Sequence, residues 1–209
     1  MKNIRHEIGL WCQAFVFIGI WVILVYVSEP EMRITFGAFK EIPHVVFVYT
    51  ILYVLFTTWA WRWRLFTGWL IPFPYLGGTW RGTIASTWNN PETGTRPAPI
   101  EAILVIRHKF DSISCTLFTT ESESQSDAAA LQLDDGSDRK ILSYNYTNDP
   151  RVSVRGRSER HTGAAVLRLA TQPQMRLTGE YWTSRKTTGE MDFVFESRTM
   201  LEAFEASSS

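Results

Sequence analysis

Very little in this chain can be crosslinked, coordinated to a metal or used as a catalyst. Of its two cysteines, Cys12 falls in an apolar run near the start and Cys115 lies far downstream. No disulfide framework exists, so the fold has to rest on its own core. The four histidines, His6, His44, His108 and His161, are scattered over separate segments, which argues against a metal site built from them. There is no H-E-x-x-H, P-loop, G-x-S-x-G or Cys-x-x-Cys motif. A formal net charge of zero removes the basic field of a general nucleic-acid binder, yet leaves room for a pocket holding a few well-placed cations. The expectation is a binding protein and not an enzyme, with no metal and no cofactor.

What is present is unevenly distributed. Gly9 to Val27 is apolar apart from Cys12 and Gln13, and Val45 to Trp61 holds nothing more polar than Tyr49, Thr50, Tyr53, Thr57 and Thr58. At about 1.5 Å rise per residue, a helix of roughly 17–20 such residues crosses a hydrocarbon core about 30 Å thick. Neither run has the polar face that a soluble helix turns to water, which favours a membrane hairpin over a pair of buried core helices. Whole-chain averages hide this, because 20% charged residues and a mean hydropathy of -0.09 mix two different halves.

Lys2, Arg5 and His6 resemble the basic start of a secretory leader, but Ser28-Glu29-Pro30-Glu31-Met32 offers no A-x-A-like cleavage site. A retained anchor is expected. Lys2 and Arg5 before the first run, with Arg62, Arg64 and Arg81 after the second, outweigh Arg33 and Lys40 between them. The positive-inside rule then places both termini in the cytoplasm. Trp59, Trp61, Trp63 and Trp69 bracket these arginines as an aromatic belt would. The domain reading is 1–71, a two-helix transmembrane anchor with a short extracytoplasmic loop, and 72–209, a cytosolic domain.

Beyond Gly77-Gly78 the periodicity changes. Trp80, Gly82, Ile84, Ser86 and Trp88 alternate with Thr79, Arg81, Thr83, Ala85 and Thr87, the signature of a strand. Further strands read at 100–109, 112–120, 125–133, 138–147, 162–170, 174–184 and 189–196. Turn signals at Asp134-Asp135-Gly136, Asn148-Asp149-Pro150, Thr171-Gln172-Pro173 and Thr187-Thr188-Gly189 separate most of them. The run Ala128-Ala129-Ala130 would also suit a helical turn. About eight hairpin-linked strands with no long helix between them predict an eight-stranded antiparallel up-and-down β-barrel, lipocalin-like, since closure removes exposed edges. A β-sandwich is the alternative. A barrel of this size holds one small ligand.

Charged faces assign the interior. Met191, Phe193 and Phe195 point inward against Glu190, Asp192 and Glu196, and Met175, Leu177, Gly179, Tyr181 and Thr183 inward against Arg176 and Glu180, with Arg185 continuing that face. Leu142, Tyr144 and Tyr146 form the apolar face of their strand. Trp80, near the start of the barrel, is expected to plug its closed end. The stretch Gly179-Glu180-Tyr181-Trp182-Thr183-Ser184-Arg185-Lys186-Thr187-Thr188-Gly189 reads in two ways. One is an ordinary hairpin with a solvated basic turn. The other is an anion and base site, with Arg185 and Lys186 for phosphate, Thr183 as a hydroxyl donor and Tyr181 as a stacking face. Tyr144, Tyr146 and Trp88 are candidates for the same lining.

A basic tail, two membrane helices, Gly-Gly-Thr-Trp-Arg-Gly, eight strands and Gly-Glu-Tyr-Trp-Thr-Ser-Arg-Lys-Thr-Thr-Gly follow one another in an order that resembles the two-transmembrane β-barrel effectors of bacterial CBASS anti-phage systems (the SMODS-associating 2TM β-strand-rich effector family). The resemblance covers nearly the whole chain. It implies a non-enzymatic barrel that senses a cyclic dinucleotide made by a partner nucleotidyltransferase (CD-NTase), after which the membrane helices self-associate into a homo-oligomer and disrupt the lipid of the inner membrane. Two other readings stand beside it: a membrane-tethered, lipocalin-like binder of a lipid or other apolar metabolite, and a barrel serving as a protein-docking module.

Overall fold

A computed structural model describes residues 6–28, 36–89, 94–134, 136–137 and 139–204. Lys2, Arg5, Arg33, the Glu29–Met32 stretch after the first run and Asp135 of the Asp-Asp-Gly turn lie outside the described residues. The chain separates into two compact units, one ending at Pro74 and one beginning at Tyr75.

In the first unit both apolar runs are helices, α1 at His6–Ser28 and α2 at Ile42–Thr58, with a 3₁₀ turn at Phe36–Glu41 leading into the second. Pro43 sits in the first turn of α2, where its missing N–H costs nothing. The two helices meet through an edge-on contact of Phe17 and Tyr49, ring centroids 5.8 Å apart. Stretches of 22 and 20 residues are long and apolar enough to cross a membrane, and they are almost entirely exposed. A pair of soluble core helices would instead be covered. The hydroxyls inside α2 are hidden by their own helix: Thr50 donates to the Val46 carbonyl at 2.7 Å and Thr57 to the Tyr53 carbonyl at 2.9 Å. Such back-bonding removes the cost of placing a hydroxyl in lipid. Of the four tryptophans in the following segment, Trp59, Trp63 and Trp69 are exposed whereas Trp61 is buried.

The second unit is a closed barrel of eight antiparallel strands in chain order. They are β1 Gly78–Ser86, β2 Ile100–His108, β3 Ile113–Thr119, β4 Ser122–Asp134, β5 Arg139–Pro150, β6 His161–Ala170, β7 Arg176–Thr183 and β8 Thr188–Ser197. Closure is made by β1 on β8, from Trp80 opposite Phe195 to Ser86 opposite Gly189. The alanine run is strand and not helix, with Ala128, Ala129 and Ala130 opposite Asn145, Tyr144 and Ser143. Tertiary pairing overrides the helical preference of alanine here. A bulge between Ser126 and Ala128 lets Ser124 and Ser126 share the inner face with Ala129 and Leu131 despite the change in parity.

Alternation decides the interior. Leu142, Tyr144, Tyr146, Leu177, Tyr181, Met191 and Phe193 are all buried. β2 is apolar on both faces because Ile103 and Val105, which point outward together with Phe118 of β3, are covered by Leu201 and Phe204 of the C-terminal segment.

The end of the barrel nearest Tyr75 is sealed. Trp80 is fully buried, its indole N–H donates to the Leu76 carbonyl at 3.0 Å, and Phe195 meets it edge-on at 5.3 Å. Tyr75 stacks on His108, whose Nδ1 accepts the Leu76 N–H at 3.2 Å. Arg198 lies over the rings of Tyr75 and Phe195 and donates to the carbonyls of Tyr75 and Gly77 at 2.9 and 2.7 Å.

Candidate functional site

The opposite end of the barrel is open. Its mouth is formed by the end of β1, the start of β2, the β3–β4 and β7–β8 turns and the segment joining β5 to β6, and it leads into a cavity of about 390 Å³. One side-chain row stands at its rim, and a second, of which Tyr181 borders the cavity, lies below. Along the register, Ser124 of β4, Asn148 of β5 and His161 of β6 stand side by side at the rim. Deeper, Tyr144, Ala165, Tyr181 and Gly189 succeed one another across β5, β6, β7 and β8, with large and small residues alternating.

That alternation shapes the cavity. Tyr146 faces Gly163 across β5 and β6, and a Cβ on that glycine would fall 2.5 Å from the phenol carbon and oxygen. Tyr181 faces Gly189 across β7 and β8, where a Cβ would fall 2.4 Å from the ring. Each tyrosine therefore lies against the bare backbone of the neighbouring strand. Both rings border the cavity, with 4% of Tyr146 and 8% of Tyr181 left exposed.

The polar groups are held in known orientations. The Ser124 hydroxyl donates to Asn148 Oδ1 at 2.7 Å, both residues being buried, so the Asn148 amide N–H groups remain for the cavity. His161 donates from Nδ1 to the Glu159 carbonyl at 2.9 Å, which leaves its Nε2 lone pair unused. Burial, assisted by the Arg185 charge, holds the His161 imidazole below its ordinary value against the opposing effect of that hydrogen bond. Burial likewise raises the Tyr146 phenol, with the Tyr181 hydroxyl adding to the rise and Arg185 countering it. Arg185 contacts the Ser158 hydroxyl at 3.4 Å, and among the described residues no carboxylate pairs with it. Arg157, also at the mouth, is held by Glu121 at 2.5 Å.

Of the residues singled out from sequence, Tyr181, Arg185, Tyr146 and Thr183 line this cavity together. Tyr144 is on the same inner face but deeper and fully enclosed, its hydroxyl directed at the Met191 sulfur at 3.8 Å, and burial pushes its phenol well up. Trp88 lies past the end of β1, 47% exposed, and does not line the cavity. Lys186 occupies the tip of the β7–β8 turn with φ 63° and points to solvent. Sequence reasoning missed Ser124, Asn148, His161, Arg157 and Glu121. Extending the Tyr144–Tyr146 face by one more step of two reaches Asn148, and the rim partners of Asn148 then follow from pairing.

A wider hollow of about 740 Å³ lies outside the barrel, between β4, β5 and the C-terminal segment around Phe204. Its arginines and carboxylates are mixed, with Arg155 already bound to Asp149, and it gathers none of the tyrosines.

The cavity thus gathers aromatic rings, hydroxyls and an amide, with a cation at its mouth. Residues 71–194 match the family model described as Cap15, cyclic dinucleotide receptor domain, a span that includes β1 to β7 and most of β8. The chain is also similar to CD-NTase-associated protein 15 of Staphylococcus schleiferi, 24% identical over 171 residues that make up 82% of this chain and 86% of that protein. More than half of the chain being matched by that domain, it belongs to the Cap15 family of cyclic dinucleotide receptors, effectors of the CBASS type.

Proposed function

We propose that the barrel cavity is where the cyclic dinucleotide binds, and that occupancy drives the membrane hairpins to self-associate and disrupt the inner membrane, killing the infected cell. In this reading residues 1–71 are the anchor, with a short extracytoplasmic loop, and 72–209 a cytosolic sensor, so both termini face the cytoplasm where a partner CD-NTase would make the ligand. A dianion of this kind does not cross lipid, which requires the sensor to share a compartment with its source.

The observation that carries the proposal is the juxtaposition of Tyr181 and Tyr146, spread over Gly189 and Gly163, with the carboxylate-free Arg185 at the same mouth. Each tyrosine offers a base a stacking face, worth about 1–3 kcal/mol, and the guanidinium offers phosphate a planar fork. Thr183 and the Asn148 amide add hydrogen-bonding groups to the same lining. The cavity falls in the usual range of about 300–1,000 Å³ for small-molecule sites and is open enough for part of a dinucleotide to project. An apolar metabolite, the competing ligand, would leave the Asn148 amide N–H groups desolvated without compensation.

Substitution tests the assignment. Tyr181→Ala and Arg185→Ala are each expected to weaken cyclic-dinucleotide binding about 10- to 100-fold and to abolish toxicity in cells, with the melting temperature little changed by Arg185→Ala and lowered by Tyr181→Ala, whose ring is buried. Wild-type binding and toxicity in both variants would remove these residues from the site.

A further inference from the structure

A cyclic dinucleotide carries two phosphates, yet of the two arginines lining the cavity only Arg185 is without a carboxylate partner among the described residues. The other arginine on the cavity wall is Arg157, in the segment between β5 and β6, and its guanidinium is bound by Glu121 of the β3–β4 turn at 2.5 Å. Glu121 is itself anchored from behind, where its carbonyl accepts the Arg151 N–H at 2.9 Å. The segment is tied on its other side through Ser158 to Arg185. It therefore runs as a strap between two turns of the rim. One attachment is an ion pair whose partners are both more than half exposed, or nearly so, at 68% and 50%. Exposed pairs of this kind are weak, roughly 0–1 kcal/mol, and readily exchanged.

We propose that Arg157 is the second phosphate ligand of the site and that Glu121 occupies it in the empty barrel as a built-in competitor. The proposal rests on the cyclic-dinucleotide reading of the cavity. One phosphate meets Arg185 directly. The other displaces the Glu121 carboxylate from Arg157, which loosens the Arg157 end of the strap at the moment of binding while the Arg151 N–H stays on the Glu121 carbonyl. A ligand with a single phosphate can satisfy Arg185 but gains less by opening the second pair, so the exchange favours dianions and sets the concentration at which the receptor responds.

The test is a titration of the full-length chain in detergent with cyclic di-AMP, cyclic di-GMP and cyclic UMP–AMP, carried forward with whichever binds the wild type most tightly. Arg157→Gln is expected to weaken that ligand about tenfold or more. Glu121→Gln is expected to tighten it about two- to fivefold, and the gain should vanish when both substitutions are combined. Retention of the gain in the double variant would mean that Glu121 acts only by general repulsion, which overturns the competition. Unchanged binding in Arg157→Gln, with an unaltered melting temperature, overturns the role of Arg157 itself. Failure of all three probes to bind folded wild-type protein would sink the receptor reading and this proposal with it, an outcome separate from either variant result.

Discussion

The two ends of the barrel share one fold and one alternation of side chains, but they put them to opposite uses. At the end near Tyr75 the inward positions hold Trp80 and Phe195, and Arg198 and His108 spend their hydrogen-bonding groups on the backbone of Tyr75 to Gly77. At the mouth the inward positions hold Tyr146, Tyr181, Ser124, Asn148 and Thr183, with both tyrosines opposite glycines, and Arg185 has no carboxylate among the described residues. Open space in this barrel thus comes from what the neighbouring position omits. A tyrosine beside glycine lines a space, whereas a tryptophan beside phenylalanine fills one.

Three substitutions sharpen that contrast. Trp80→Ala should have the largest effect, a loss of about 3–5 kcal/mol from the cavity it leaves at the sealed end, read as a large downward shift of the thermal transition. Binding should fall only in step with the folded fraction. Arg198→Ala should cost less, about 1.5–3 kcal/mol for its charged hydrogen bonds to the Tyr75 and Gly77 carbonyls. It should leave the affinity of the folded barrel unchanged, because these groups lie away from the cavity. If it altered affinity directly, the separation of the two ends would be wrong.

The smallest effect belongs to His161. Its folded pKa lies below the unfolded value, so both states are neutral at high pH and no dependence arises there. As pH falls through about 6.5 the unfolded chain takes up a proton that the folded barrel resists, and stability declines until the folded pKa is passed. A bound anion favours the imidazolium. Affinity for a cyclic dinucleotide should therefore rise a few-fold between about pH 7 and pH 5, and His161→Gln should flatten the profile, as calorimetry at several pH values would reveal.

Much of the fold was legible because its signals are local. Strand alternation located the inner faces of β5, β7 and β8, and uninterrupted apolar runs marked α1 and α2. The fourth strand was ambiguous because alanine prefers helix, and only pairing with β5 decides the matter. The site was partly legible. Tyr181 and Thr183 stand on one inward face, Arg185 follows them in the β7–β8 turn, and Tyr146 faces inward by the same alternation. Depth along the lumen is not encoded in a period of two, so Tyr144 shared that face without reaching the cavity. Trp88 and Lys186 stood at strand ends, where turn geometry instead of alternation sets direction. Arg157 and Glu121 come from connections remote in sequence and meet only once the barrel closes.

The central claim, that the mouth of this barrel receives a cyclic dinucleotide, is most directly tested by calorimetric titration of the full-length chain in detergent against purine and pyrimidine cyclic dinucleotides. The account predicts saturable binding of at least one of them, one ligand per barrel, weakened by rising salt and lost in Arg185→Ala. Folded wild-type protein that binds none, or binds one equally well without Arg185, would contradict it.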